Sequence, residues 1–300
     1  MAAATETVPA LSVVIPTFNN EAVLGQCLDG WERFGGDDVE LVVVEDGCRD
    51  GTAELLARRA ATPWGLRHLR WIHQDDAHEL RCTNAGLALA RGTLVAAWQD
   101  DMFLRAAWLV PELCAAFERY ADLGLLSLSR GLNCIPVREP IATWADLVDW
   151  RRLQSTIGHG PGNWFRLQEV DIVIRPWVVR RACLERAGML DEAFRPTEWD
   201  EADLAYRVRA AGWKVATGGY ERLDGYFHLG STTIGTPSQA YLDRVLRNGR
   251  LFHERWDATI EAQHPRPRRT WRRTASAAGW SATARAMART AGSVLFRRQP

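Results

Sequence analysis

The chain has a single lysine, Lys214, in 300 residues; the rest of its positive charge is arginine. No G-x-x-x-x-G-K-[ST] occurs, which excludes a P-loop, and no G-x-G-x-x-G, so a dinucleotide fingerprint is also unsupported. The six cysteines form no C-x-x-C pair and no Cys/His cluster at zinc spacing. A disulfide framework is therefore not expected, and a reducing cytoplasm is favoured. No stretch approaches the roughly 20 apolar residues of a membrane span. The start, "MAAATETVPA", lacks a basic n-region, so the chain reads as soluble, or at most held on a surface.

What is present is an ordinary globular composition, 47% hydrophobic, with an uneven distribution of charge. Residues 263–300 hold nine arginines and no acid, leaving 28 basic against 37 acidic residues in 1–262, a net of −9. That asymmetry predicts a mildly acidic body, residues 1–262, and a basic tail, residues 263–300, helical or disordered.

"LSVVIP" (11–16) is a β-branched run ended by Pro16 and predicts a buried strand. Val23, Leu24, Cys27, Leu28 and Trp31 then share one helical face. "VELVVVEDG", "LRHLRWIH" and "TLVAAWQ" are the next strand candidates. "DGTAELLARRAA", with Asp50 as its N-cap, and "HELRCTNAGLALARG" are the helices between them. Four strand–helix alternations in about 100 residues imply βαβ units and a parallel sheet covered on both faces. Further on, "LGLLSLS" reads as a strand and "VDIVIRPWVVRRACLERAGMLDEAF" as a strand followed by a helix. Residues 131–169 read as irregular, with a short helix near "TWADLVDW". "EWDEADLAYRVRAAGW" and "YLDRVLRNGRLFHERW" are helices.

In an open parallel sheet, ligands bind beyond the carboxyl ends of the strands. Three strand ends are polar here: "PTFNN", "EDGCRDGT" and "QDDM". Any one of them is an ordinary loop start; all three along one edge point to a site. Asp100 and Asp101 are adjacent carboxylates at the end of an apolar run, and suit a hard divalent cation shared with substrate phosphates. Asp46 suits a base or ribose, whereas Asp50 reads as a helix cap.

The segments "SVVIPTFNN", "LVVVEDGCRDGT", "NAGLALARGTLVAAWQDDM", "DEAF", "WDEADLAYRVRAAGWKV" and "FHLGSTT", in this order, resemble family 2 glycosyltransferases over residues 10–235. The resemblance implies a GT-A fold: an α/β domain with a mostly parallel central sheet and helices on both faces. Its donor half would be residues 10–130 and its acceptor half 131–262. It also implies inverting transfer of a sugar from a nucleotide-diphosphate donor, with Mn2+ or Mg2+ as cofactor. Pro16, Thr17 and Phe18 would lie against the donor base and Asp46 on the nucleoside. Arg81, Asn84 and Gly86 would border the donor phosphates and sugar. Asp101, the last acid of a D-x-D motif, would bind the metal with His228. Asp100, the middle position, would face the ribose or solvent. Glu201 or Asp200 would be the general base. Two positions depart from the pattern: Gln99 stands where an aspartate is common, and the usual Glu-Asp pair reads Asp200-Glu201.

Alternatives stand beside these readings. Asp200 also suits a helix cap, or a capping box with Thr197, and His228 a structural histidine. Trp199 or Trp164 could stack an acceptor sugar or simply be core. A nucleotidyltransferase, or a non-catalytic sugar-binding protein on a transferase fold, are the competing functions. The acceptor would be a glycan, a lipid-linked or a small molecule. The tail could be solvated, or could bring Trp271, Trp280, Leu295 and Phe296 to the inner face of an anionic membrane. Nucleic acid is not expected, because no nucleic-acid-binding fold accompanies the tail.

Overall fold

A computed structural model describes residues 8–129, 131–136, 148–149, 156–159, 166–218, 225–230 and 238–264. The strand–helix alternation read from the sequence is present. It runs β1 (Leu11–Thr17), α1 (Glu21–Phe34), β2 (Val39–Asp46), α2 (Thr52–Ala60), α3 (Gly65–His68), β3 (Leu69–Gln74), α4 (His78–Leu89) and β4 (Leu94–Ala97). Next come β5 (Met102–Leu104), α5 (Leu109–Arg119), β6 (Leu123–Ser127) and the short strands β7 (Asn133–Cys134), β8 (Val148–Asp149), β9 (Thr156–His159) and β10 (Arg166–Glu169). After β11 (Trp177–Arg180) and α6 (Arg181–Ala187), a 3-10 turn (Glu192–Phe194) leads to α7 (Asp200–Ala210), β12 (Lys214–Thr217), β13 (Tyr226–His228) and α8 (Gln239–Gln263).

Nine strands form the central sheet in the order β3-β2-β1-β4-β11-β6-β12-β10-β9. β3, β2, β1 and β4 run parallel, as expected. β11 runs antiparallel between β4 and β6. β12 pairs parallel with β6 and antiparallel with β10, and β10 pairs antiparallel with β9. β5 and β13 form a separate two-stranded ribbon, with His228 opposite Met102. The sheet is buried on both faces because its strands alternate between two cores. Val14 and Val42 face one, and Val13, Ile15, Leu41 and Val43 the other.

Several local expectations shift. The strand predicted from Val170 begins at Trp177, after Pro176, which has no amide hydrogen to offer a ladder. Of the expected helix "TWADLVDW", only Val148 and Asp149 are described, and they pair with β7 as strand β8. Asp200 is the first residue of α7; the cap position falls on Trp199, which has left-handed backbone. Trp199 is buried against Phe252, 5.0 Å between ring centroids, and cannot stack a sugar. Trp164 and the tail beyond His264 lie outside the described residues. No helix among the described residues is long and apolar enough to cross a membrane.

Gly86 sits where α4 crosses the sheet: a Cβ there would lie 2.3 Å from Val14 Cγ1 and 3.3 Å from Val44 Cγ2. Alanine favours a helix over glycine by about 1 kcal/mol, but overpacking costs about 1–3 kcal/mol. Gly86→Ala is therefore expected to lower unfolding stability by up to about 2 kcal/mol in urea denaturation.

Candidate active site

The carboxyl ends of β1, β2 and β3 open on a cavity of about 550 Å³ lined by Phe18, Asn19, Asp46, Gly47, Cys48, Arg49, His73, Asp75 and Asp76. The polar residues around it bond to one another. Asn19 Oδ1 accepts from the Arg49 amide at 2.7 Å, joining the loops after β1 and β2. Asp50 accepts from the Glu21 amide at 3.0 Å and from the Thr52 amide and hydroxyl at 3.1 and 2.6 Å. The N-cap position of α2 thus falls on Gly51, one residue after the position expected from the sequence, while Asp50 holds the amides that open α1 and α2. Buried Glu45 pairs with His73 Nδ1, and His73 Nε2 lies 2.8 Å from Asp75. Phe18 is 44% exposed. Pro16 stands within β1, one residue before Thr17.

Asp46 lines this cavity, but both its oxygens are engaged. Oδ1 accepts from the Ala77 amide at 2.6 Å and Oδ2 from the His78 amide at 2.9 Å, so it holds the turn into α4. Arg81, Asn84 and Gly86, further along α4, turn away from the cavity. Arg81 Nε pairs with Glu192 at 2.9 Å. Asn84 Nδ2 donates to Leu190 O at 2.8 Å, and its Oδ1 accepts from the Leu190 amide at 3.0 Å. These contacts fix α4 to the turn before α7.

Beyond β4 the two aspartates have separate surroundings. Asp100 is buried and accepts from Thr17 Oγ1 at 2.7 Å, so it faces neither solvent nor open crevice. Burial pushes its carboxyl up to about 6; the Thr17 and Asn20 hydrogen bonds oppose the rise, and the charges of Asp101 and Glu79 add to it. Asp101 turns to the β13 ribbon: Oδ1 lies 3.3 Å from His228 Nε2 and Oδ2 accepts from the Gly230 amide at 3.1 Å. The structure thus brings together the two residues that the resemblance implies for metal binding, 127 positions apart. No cluster of three metal-binding side chains occurs among the described residues.

The third centre surrounds Arg175, a buried guanidinium just before β11. Its Nη1 pairs with Glu79, its Nη2 lies 3.3 Å from Asp200 Oδ2, and its Nε 3.2 Å from Glu201 Oε2. Trp177 Nε1 donates to the same Glu201 oxygen at 3.2 Å. Burial raises both carboxyls of the Asp200–Glu201 pair above the carboxylate range, opposing the pull of Arg175. Glu201 keeps 20% of its side chain exposed and Asp200 2%, so Glu201 is the more accessible of the two. Glu198 and Trp199, just before α7, both have positive φ, a costly backbone that recurs at functional sites. Gln99 Nε2 reaches Glu79 Oε1 at 3.5 Å, so the neutral amide faces a carboxylate that an aspartate there would repel.

Arg175, Glu79 and Glu198 escaped the sequence reading. One signal was available: an arginine inside the apolar run "IVIRPW" must be paired if that run is buried.

Residues 12–128 match the model of glycosyl transferase family 2. The chain is 29% identical over 103 residues to the uncharacterized glycosyltransferase EpsJ of Bacillus subtilis (strain 168), covering 33% of this chain and 28% of that protein. It is 29% identical over 238 residues to validoxylamine A glucosyltransferase of Streptomyces hygroscopicus subsp. limoneus, 71% of this chain and 50% of the relative. The chain thus spans half or less of the length of these relatives. Residues 1–349 of S. aureus TarS, in complex with UDP-GlcNAc, superpose with a TM-score of 0.55 at 13% identity, over 84% of this chain and 70% of that one. That likeness shows the fold, an α/β architecture of GT-A type.

Asp46 offers a local test. Removing both of its charge-assisted hydrogen bonds by Asp46→Ala is expected to cost about 2–3 kcal/mol. Hydrogen exchange at the Ala77 and His78 amides should accelerate, and unchanged exchange would contradict the capping role.

Proposed function

We propose that this chain, a member of glycosyl transferase family 2 through residues 12–128, moves a sugar from a nucleoside-diphosphate donor to an acceptor hydroxyl with inversion. The observation that carries this reading is the convergence of three groups at one end of the sheet: the 550 Å³ cavity, the Asp101–His228 pair and the partly exposed Glu201. TarS, whose fold is similar, is described in complex with UDP-GlcNAc.

In this reading the nucleoside enters the cavity with its base against Phe18. Asp46 keeps the wall in place by holding the 77–78 turn. The donor set at Asp101 and His228, one carboxylate and one imidazole, fits Mn2+ or Mg2+ with the remaining ligands from donor phosphates. When bound, such an ion supplies positive charge that stabilises the departing diphosphate. Glu201 takes the proton of the acceptor hydroxyl as that oxygen attacks the anomeric carbon and the bond to the diphosphate breaks. One base suffices for a single displacement, and the sugar inverts. Because the base must be ionised, the rate should rise with pH until Glu201 has lost its proton. The acceptor is a glycan, lipid-linked or small-molecule hydroxyl.

Melting temperatures should rise when UDP, GDP or dTDP is added with MnCl2. Asp101→Ala should remove the manganese-dependent part of that rise; no shift with any of the three diphosphates would overturn the donor site. Glu201→Gln should keep the thermal shift but lower transfer by about 100- to 10,000-fold.

A further inference from the structure

Among the described residues, Glu201 has one oxygen held and one left over. At the start of β11, Trp177 Nε1 donates to Oε2 at 3.2 Å, and Arg175 Nε lies at ion-pair distance from the same oxygen, 3.2 Å. Both side chains are themselves buried, so the carboxylate is held from the sheet side. The other nitrogens of Arg175 reach Asp200 and Glu79, which belong to α7 and α4. Glu79 in turn accepts from Gln99, two residues before Asp101. A chain of polar contacts therefore runs from the donor-side strand end to the candidate base.

We propose that Arg175 is the positioning residue of the base, holding Oε2 of Glu201 so that Oε1 is the oxygen presented to the acceptor hydroxyl. This rests on Glu201 being the base. A guanidinium suits the task because its planar fork fixes three partners at once; a lysine offers a single point charge on a flexible stem. Gln99 belongs to the same arrangement. An aspartate there would set a second carboxylate against Glu79 and draw the guanidinium away from Glu201. The neutral amide leaves Arg175 shared among Glu79, Asp200 and Glu201 only.

The groups that set the charge felt by Glu201 are Arg175 and Trp177 beside it, Asp200 on its own helix, Glu79 from α4 and Glu198 before α7. Glu198 is held by the Tyr241 hydroxyl of α8 at 2.8 Å, with Arg244 of the same helix as a nearby cation. Arg175 favours the ionised base, whereas Glu79, Asp200 and Glu198 oppose it. Removing Arg175 and removing Glu79 must therefore move Glu201 in opposite directions, which loss of packing alone would not do.

The test is a carboxyl 13C NMR titration of the full chain labelled at glutamate Cδ, with the Glu201 signal assigned by Glu201→Gln. Arg175→Met is expected to raise the pH at which Glu201 titrates by about 1–3. Glu79→Gln should lower it, and decides the matter alone if Arg175→Met does not fold. The pH profile of UDP release from UDP-glucose should move in the same direction as each titration, with KM unchanged within about twofold. Shifts of the same sign, or none, would overturn the positioning role. Opposite shifts in a protein that binds no UDP, GDP or dTDP would leave the Arg175 geometry standing and instead defeat the donor-site reading.

Discussion

Glu79 from α4 and Asp200 and Glu201 from α7 meet at one buried guanidinium, Arg175. Carboxylates this close repel, and burial penalises each of them further. The cation offsets that repulsion where the first turns of α4 and α7 meet. With it, the two helix N-termini are drawn to the same point beside β11, and the placement of the candidate base follows. A buried ion pair of this kind is weak evidence of stability, since desolvation offsets much of the attraction. Its significance lies in geometry, because the fork dictates where each carboxylate stands.

A similar economy governs the donor side. Asp46, Asp50, Asn19 and Thr17 are all engaged within the protein, on backbone amides or on neighbouring side chains. The strand ends are thereby tied together before any ligand arrives. Preorganised walls lose less entropy on binding than mobile ones. The separation of Asp100 from Asp101 belongs to the same design: one bonds inward to Thr17, the other across to His228 and Gly230. Two adjacent carboxylates are tolerated because they point to different partners.

Strand existence was legible where β-branched runs made it so. β2 and β4 lie within "VELVVVED" and "TLVAAWQ", β1 runs one residue past "LSVVIP" to Thr17, and the face of α1 matched its apolar spacing. The Asp101–His228 pair was legible only through the resemblance, since no local pattern links residues 127 apart. The start of β11 was misplaced because "VDIVI" has strand-like composition, yet the ladder begins after a proline. The Arg175 cluster was missed because its members come from three elements distant in sequence. Arg81 and Asn84 carried a motif position but bond to residues 190–192, through Arg81 Nε and the Asn84 amide, a tertiary demand that no single sequence displays.

The central claim is that the ends of β1, β2 and β4, together with the β13 ribbon, form one nucleoside-diphosphate site. Hydrogen–deuterium exchange of the full chain, with and without MnCl2 and the diphosphate that stabilises it most, locates that site directly. Protection is expected at residues 16–20, 46–50, 100–101 and 228–230 together. Protection confined to other segments, or at only one of these four, would contradict the account.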